Sequence, residues 1–177
     1  MIIWIDGTNG VGKSHVAEKL AKLLANKNAE YIESDLYWMD FIRNYLLKAF
    51  SGGAAIYHNR HFLEKFRKVL EEKINNFGKN PIVSMSLVDK LCEKELLDYF
   101  KEKKVSMLHI ILEAKEETIV SRIENDPIRN EDERNQQKYN VPWQMQYLKT
   151  NYPDAVRINT EDKTLDNIAS EIMNLMI

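Results

Sequence analysis

One cysteine in 177 residues, Cys92, leaves no internal disulfide to form. That usage fits a reducing compartment, and Cys92 itself reads as a small buried hydrophobe. No apolar run approaches the roughly 18 to 20 residues that cross a bilayer. Met1 to Ile5 is only a strand's worth of hydrophobes before Asp6, without the basic and long apolar regions of a secretory leader. A cytoplasmic protein with no membrane partner is therefore expected. The formal net charge is −2 and the charges are interspersed, so the chain carries no basic field for nucleic acid. That balance disfavours a nucleic-acid end kinase. Neither an internal repeat, nor a linker, nor a low-complexity tract divides the chain, and its length suits one domain over 1–177 that buries a sizeable core.

Against these absences stands one demanding stretch. Ile2-Ile3-Trp4-Ile5-Asp6 runs straight into Gly7-Thr8-Asn9-Gly10-Val11-Gly12-Lys13-Ser14, followed by His15 and a helical pattern. The spacing is G-x-x-x-x-G-K-S, a phosphate-binding loop. Glycines let backbone N–H groups turn toward a phosphate, and the helix N-terminus adds positive potential. Lys13 reaches the outer phosphates and the Ser14 hydroxyl ligates Mg2+. Such a pattern arises by chance in roughly one chain of this length in a hundred, and it must also follow a strand and open a helix, which it does. Gly7, Asn9, Gly10, Val11, Gly12, Lys13, Ser14 and His15 form the expected nucleotide-binding set.

Strand and helix signals then alternate. Val16, Leu20, Leu23 and Leu24 mark the helix after the loop, and Ala29 to Ser34 reads as a second strand that delivers Asp35 at its C-terminal end. Leu36 to Phe50 reads as an aromatic-rich helix stopped by Ser51-Gly52-Gly53, and roughly Asn59 to Asn76 as another, with Phe62, Phe66, Val69, Leu70 and Ile74 on one face. Two helices stand where one crossover suffices, so 36–77 reads as a substrate-binding excursion; the plainer alternative is an enlarged helical layer. Ile82 to Val88 is the third strand, Asp89 to Lys103 a helix, Val105 to Leu112 the fourth strand and Lys115 to Glu124 a helix. His109 lies inside the fourth strand and reads as a core or sheet-edge residue rather than a catalytic one. Residues 125–140 are polar with almost no aliphatics, either a mobile lid or a solvated connection; a few helical residues follow Pro142 and Trp143. Ala155 to Asn159 gives a fifth strand and Thr164 caps the last helix. The alternation predicts a three-layer α/β fold with a parallel sheet between helices.

Four features narrow the chemistry. Asp35 would face the outer phosphate, take a proton from an attacking hydroxyl or hold Mg2+ through water; as a bland alternative it caps the next helix. Arg122, Arg129 and Arg134 stand in and before the polar segment, placed to neutralise charge during phosphoryl transfer, or simply to be solvated. Tyr37, Trp38, Arg43, His58, Arg60 and His61 suit a flat or sugar-like molecule bearing an anionic group, or equally a helical core with a wet edge. Thr160, leaving the fifth strand, could read an adenine edge. Two motif absences disfavour a motor or a switch: the third strand holds Ser84 and Ser86 but no acid, and Asn26-Lys27-Asn28-Ala29 fails as a guanine-reading motif at its last position.

Met1-Ile2-Ile3-Trp4-Ile5-Asp6-Gly7 running into Gly10-Val11-Gly12-Lys13-Ser14 resembles the opening of the tunicamycin-resistance family of small P-loop proteins. The likeness continues through Pro81 to Val88 and Leu108 to Ile123. More broadly, the layout is similar to the nucleoside-monophosphate-kinase-like group, which includes shikimate kinase and chloramphenicol phosphotransferase. Their aspartate just after strand two is matched by Asp35, and their arginine on the helix before the lid by Arg122. The resemblance implies a five-stranded parallel sheet of order 2-3-1-4-5, ATP with Mg2+ as cofactors, and phosphoryl transfer to a small molecule. The expected reading is an ATP-dependent kinase, monomer or homodimer, acting on a hydroxyl or phosphate of a small metabolite, nucleotide or antibiotic-like acceptor. Its rival is a nucleotide-binding module or slow ATPase that sequesters a drug-like ligand without modifying it.

Overall fold

The computed structural model describes residues 1–45 and 58–176. Five parallel strands form one sheet of order β2-β3-β1-β4-β5. They are β1 (Ile2–Gly7), β2 (Ala29–Glu33), β3 (Asn80–Ser84), β4 (Met107–Glu113) and β5 (Val156–Asn159). β1 is central, with Ile3 paired to Ile82 on one side and to Leu108 on the other. Every residue of β1 is buried, because alternate side chains enter two different cores. Ile2 and Trp4 join Ile32, Val83, Phe62 and Phe66 on one face; Ile3 and Ile5 join Val16, Leu20, Ile110 and Ile168 on the other. A sheet covered on both faces needs continuous apolar strands, which is why β1 and β4 read that way.

The second of these cores is closed by α1 (Lys13–Leu23), α5 (Glu116–Glu124) and α7 (Leu165–Asn174). The first is closed by α2 (Ser34–Tyr45), α3 (Arg60–Asn75) and α4, residues 90–102, whose middle, Glu93–Asp98, is π-helical. All five strands end at one edge, where the phosphate loop and the connections after β2, β3, β4 and β5 gather. Ligand sites of open parallel sheets lie at that edge.

The structure corrects three sequence expectations and leaves a fourth untested. The polar stretch is mostly helix: α6 (Glu131–Asn151) runs 21 residues, through Pro142. Asn130 caps it in a reciprocal box with Glu133, and Glu, Arg, Gln and Lys are good helix formers that need no apolar periodicity on a solvated face. Only 125–130 is an irregular connection. The third strand stops at Ser84 because Ser86 and Leu87 turn back to bond the first strand's end. α2 starts at Ser34, which puts Asp35 inside its first turn rather than at its cap. The helix expected through Phe50 is described only to Tyr45; its remainder and the Ser51-Gly52-Gly53 stop lie outside the described residues.

Candidate functional site

The phosphate loop is a backbone held from outside by side chains. Asp6, wholly buried, accepts the Gly7 N–H at 2.6 Å and the Leu87 N–H at 3.0 Å through Oδ1, and its Oδ2 lies 2.9 Å from His109 Nε2. Ser86 Oγ donates to the Gly7 carbonyl at 2.8 Å. Asn9 N–H donates to Gln144 Oε1 on α6 at 3.0 Å, and Arg122 Nη1 on α5 donates to the Val11 carbonyl at 3.2 Å. The chain has to bend sharply to pass among these groups. Gly7 and Gly10 adopt φ +142° and +74°, and a Cβ on Gly10 would run into the Ile123 side chain.

Downstream of those clamps, α1 begins at Lys13 with Val16 as the first residue whose N–H bonds back along the helix, to Gly12. Among the described residues no side chain caps this end, so the amides of Gly12 to His15 remain as donors at a positive helix terminus. Ser14 and His15 are exposed beside them. Lys13 Nζ donates to the Thr8 carbonyl at 2.8 Å and the Gly7 carbonyl at 3.1 Å. Burial holds its ammonium below the usual lysine range, while the carboxylates of Asp6, Asp35 and Glu33 pull it back up.

Glu33 is a candidate site residue that sequence reasoning missed. It is the last residue of β2 and stands in register with Ser84 of β3. Ser84 Oγ donates to it at 3.0 Å and the Tyr31 hydroxyl donates to its other oxygen. Burial raises its pKa above the ordinary glutamate value, and hydrogen bonds from Ser14 and Ser84 oppose that rise. Ser14, Lys13, Glu33 and Asp35 thus share one edge of the loop. Strand three has no acid of its own, and Glu33 stands beside it across the ladder. The signal available in sequence was Glu33 two residues before Asp35, at the end of a strand.

The remaining expected residues separate into groups. Arg122 and Thr160 come together: Arg122 Nη1 donates to Thr160 Oγ1 at 3.0 Å and Nη2 to the Thr160 carbonyl at 3.3 Å. The buried Thr160 hydroxyl donates in turn to the Glu113 carbonyl at 3.1 Å. Arg129 pairs with Asp126 and is near enough to lower the Lys13 pKa through charge; Arg134 donates to the carbonyls of Asp126 and Arg129. Tyr37 and Trp38 are half-buried against the first core, Tyr37 edge-on to Phe66 at 5.6 Å and Trp38 edge-on to Phe62 at 5.2 Å. His61 meets Phe41 edge-on at 5.7 Å. A cavity of about 550 Å³ opens beside them, lined by Tyr37, Asp40, Phe41, Phe62, Lys65 and Phe66 among others. Arg43 is exposed on α2. Beside α3 and α4, His58 meets Asp89 at 3.1 Å, and the guanidinium groups of Arg60 and Arg67 are matched by Glu95 at 3.5 and 2.9 Å. His109 lies within β4, hydrogen-bonded to Asp6 and edge-on to Tyr152 at 5.0 Å.

Can this edge hold a hard cation? Its donors are all oxygen, from the Ser14 hydroxyl and the Glu33 and Asp35 carboxylates, the set that Mg2+ takes. Among the described residues no three His, Cys, Asp or Glu side chains form a protein-only metal cage. The residues therefore fit a cation that draws most of its ligands from phosphate and water.

A phosphate loop between β1 and α1, at the C-terminal edge of a 2-3-1-4-5 parallel sheet, defines a P-loop nucleotide-binding fold of the kinase-like kind. The chain belongs to the AAA domain family, whose profile matches residues 3–140. Its structure is similar to the Deinococcus radiodurans tunicamycin resistance protein, at a TM-score of 0.76 and 22% identity, covering 99% of this chain and 94% of that one. It is similar also to a gluconokinase from Sinorhizobium meliloti 1021, at a TM-score of 0.65 and 16% identity over 97% and 89% of the two chains. A shikimate kinase from Bacteroides thetaiotaomicron gives a TM-score of 0.65 and 16% identity over 99% and 98%. No curated protein matches the chain in sequence. No described helix is long and apolar enough to cross a membrane.

Proposed function

We propose that this chain is an ATP-dependent kinase that transfers the terminal phosphoryl group to a hydroxyl of a small molecule. The observation that carries the reading is the gathering of Ser14, Lys13, Glu33 and Asp35 at one edge of the phosphate loop. The Gly12 to His15 amides would hold the inner phosphates and Lys13 the outer ones. Ser14 and Glu33, with Asp35 behind a water, would hold Mg2+, which when bound offsets negative charge on the phosphates. Asp35, exposed in the first turn of α2, would orient the acceptor hydroxyl and take its proton. Arg122, spanning Val11 and Thr160, suits the nucleoside side of the loop. Arg129, close to Lys13, suits the charge that develops on the group in transit.

The test is ADP release against a panel of small hydroxyl compounds. At least one acceptor should raise turnover, and Lys13→Ala should lower it by about a hundredfold to a thousandfold, as removal of one preorganised transition-state partner does. If no acceptor lifts the rate above the Lys13→Ala background, the kinase reading fails. The Deinococcus neighbour, named for resistance and not for transfer, favours a second reading: a nucleotide-binding module that sequesters its ligand unmodified. Mass spectrometry of the ligand after incubation with ATP separates the two, since a mass gain of one phosphate excludes sequestration.

A further inference from the structure

Among the described residues, a glutamine with unspent hydrogen-bonding capacity joins the phosphate loop to α6. Gln144 is wholly buried on α6, and its Oε1 accepts the Asn9 N–H at 3.0 Å. Among the described residues its Nε2 has no hydrogen-bond partner, nor has the hydroxyl of Thr8, and both atoms are shut away from solvent. Buried polar groups are nearly always satisfied, so two orphans at one loop require a reason. Their place in the loop supplies one. Lys13 Nζ sits 2.8 Å from the Thr8 carbonyl, and the loop lysine reaches the β- and γ-phosphates. Thr8 and Asn9 therefore mark the terminal-phosphate end, while Gly12 to His15 at the start of α1 mark the other.

Gln144 also has a path to the polar connection. α6 begins directly after Asn130, and Arg134 on its first turns donates to the carbonyls of Asp126 and Arg129. Ten residues of helix separate Arg134 from Gln144, about 15 Å. Pro142, two residues before Gln144, lacks the N–H that would bond the preceding turn, a local weak point in the helix ladder.

We propose that Gln144 is a positioning residue that ties the terminal-phosphate end of the loop to α6 and the arginine-bearing connection before it, so that the loop distinguishes a nucleoside triphosphate from a diphosphate. The inference rests on the nucleotide-binding reading above. When a terminal phosphate pulls on the Asn9 end of the loop, the amide of Gln144 follows it, and α6 transmits the shift to Arg134 and Arg129. A diphosphate, held at the Gly12 to His15 end, leaves the Asn9–Gln144 bond as it is.

The test measures affinity for ADP and for a non-hydrolysable ATP analogue by calorimetry, in wild type and in Gln144→Met, which keeps the side-chain length and removes both polar functions. The analogue should bind the variant about tenfold more weakly, with ADP within twofold of wild type. Equal losses for both ligands, or no loss for either, overturn the inference, because a merely structural glutamine does not discriminate between them. Hydrogen exchange on the wild-type protein covers the case in which Gln144→Met does not fold. Amides of 141–148 should exchange differently with the analogue than with ADP, and identical protection overturns the inference. A wild type that binds neither nucleotide overturns the nucleotide-binding reading itself, whereas equal losses overturn only the role of Gln144.

Discussion

The phosphate loop and the α2–α3–α4 layer beside it are built on opposite rules. Around the loop, side chains from β1, the turn after β3, α5 and α6 reach for backbone atoms: Asp6 for the Gly7 and Leu87 amides, Ser86 for the Gly7 carbonyl, Arg122 for the Val11 carbonyl, Gln144 for the Asn9 amide. In the helical layer, rings meet rings and charges meet charges. Trp38 stacks on Phe41 at 5.7 Å, Phe62 on Phe66 at 5.6 Å, and Arg67 lies between Glu95 and the Tyr99 ring. Directional bonds to a bent backbone tolerate few sequences, since each needs a donor or a glycine at one position. Ring packing at helical spacing tolerates many, because any apolar side chain of about the right volume fills the space. The donor side of the cleft is thus specified atom by atom, and the side that would receive an acceptor is specified mainly by volume.

The largest test of that contrast is Phe62→Ala. Phe62 is buried between Phe41, Trp38 and Phe66, and removing such a ring costs about 3 to 5 kcal/mol. For a domain of this size that lowers Tm by on the order of 10 °C. Nucleotide affinity, measured well below the new Tm, should stay within about threefold, since no clamp on the loop comes from α3. A loss of nucleotide binding as large as the loss of stability would break the division into two separately built regions.

Gly10→Ala makes the reverse case. The residue sits at φ +74° with the Ile123 side chain in the path of a Cβ, so the substitution carries about 1 to 2 kcal/mol of backbone strain plus a displacement of the loop. Stability should fall less than in Phe62→Ala, while ADP affinity falls at least about tenfold, because the loop must move to admit the methyl group. Differential scanning fluorimetry and calorimetry on the same preparations give both numbers. Unchanged ADP affinity would mean that the clamps do not set the loop's binding shape.

The same division governs what could be read before the fold was seen. The loop, the strand order and the alternation of strand with helix are legible because they rest on glycine spacing and on apolar runs local in sequence. Glu33 escaped notice because its importance lies in the register with Ser84, 51 residues away. The Asp6–His109 bridge spans 103 residues and has no local mark. α6 was illegible for a different reason: only Val141, Gln144 and Leu148 are buried along its 21 residues, too sparse a stripe to stand out as a helical period. Tyr37, Trp38 and His61 read in sequence either as a recognition surface or as a helical core with a wet edge; in the fold they pack with the core rings of α2 and α3, and Tyr37 also lines the cavity there. A polar aromatic cluster in sequence does not reveal whether its rings face a ligand or one another.

The smallest effect has the opposite sign and arises at the boundary between the two regions. Burial holds the Glu33 carboxyl above the ordinary glutamate range, and the hydrogen bonds from Ser14 and Ser84 only partly offset it. Between the ordinary value and the raised folded value, the native state keeps a proton that the unfolded chain has released, so stability declines as pH rises through that window. Above the window the folded protein carries a half-buried carboxylate at full disadvantage. Glu33→Gln cannot ionise, and in a chelated, metal-free buffer its Tm should exceed that of the wild type at neutral pH. The difference should shrink as pH falls through the window and level off below the ordinary glutamate value. Addition of Mg2+ should strengthen binding of the non-hydrolysable ATP analogue in the wild type and do so much less in the variant. A Tm difference flat across pH would remove the account of a carboxyl strained by burial, and an undiminished Mg2+ effect would remove Glu33 from the cation site. Both outcomes as expected would make Glu33 a residue that lowers the stability of the fold in order to complete the loop's edge, the exchange expected where a structural layer meets a chemical one.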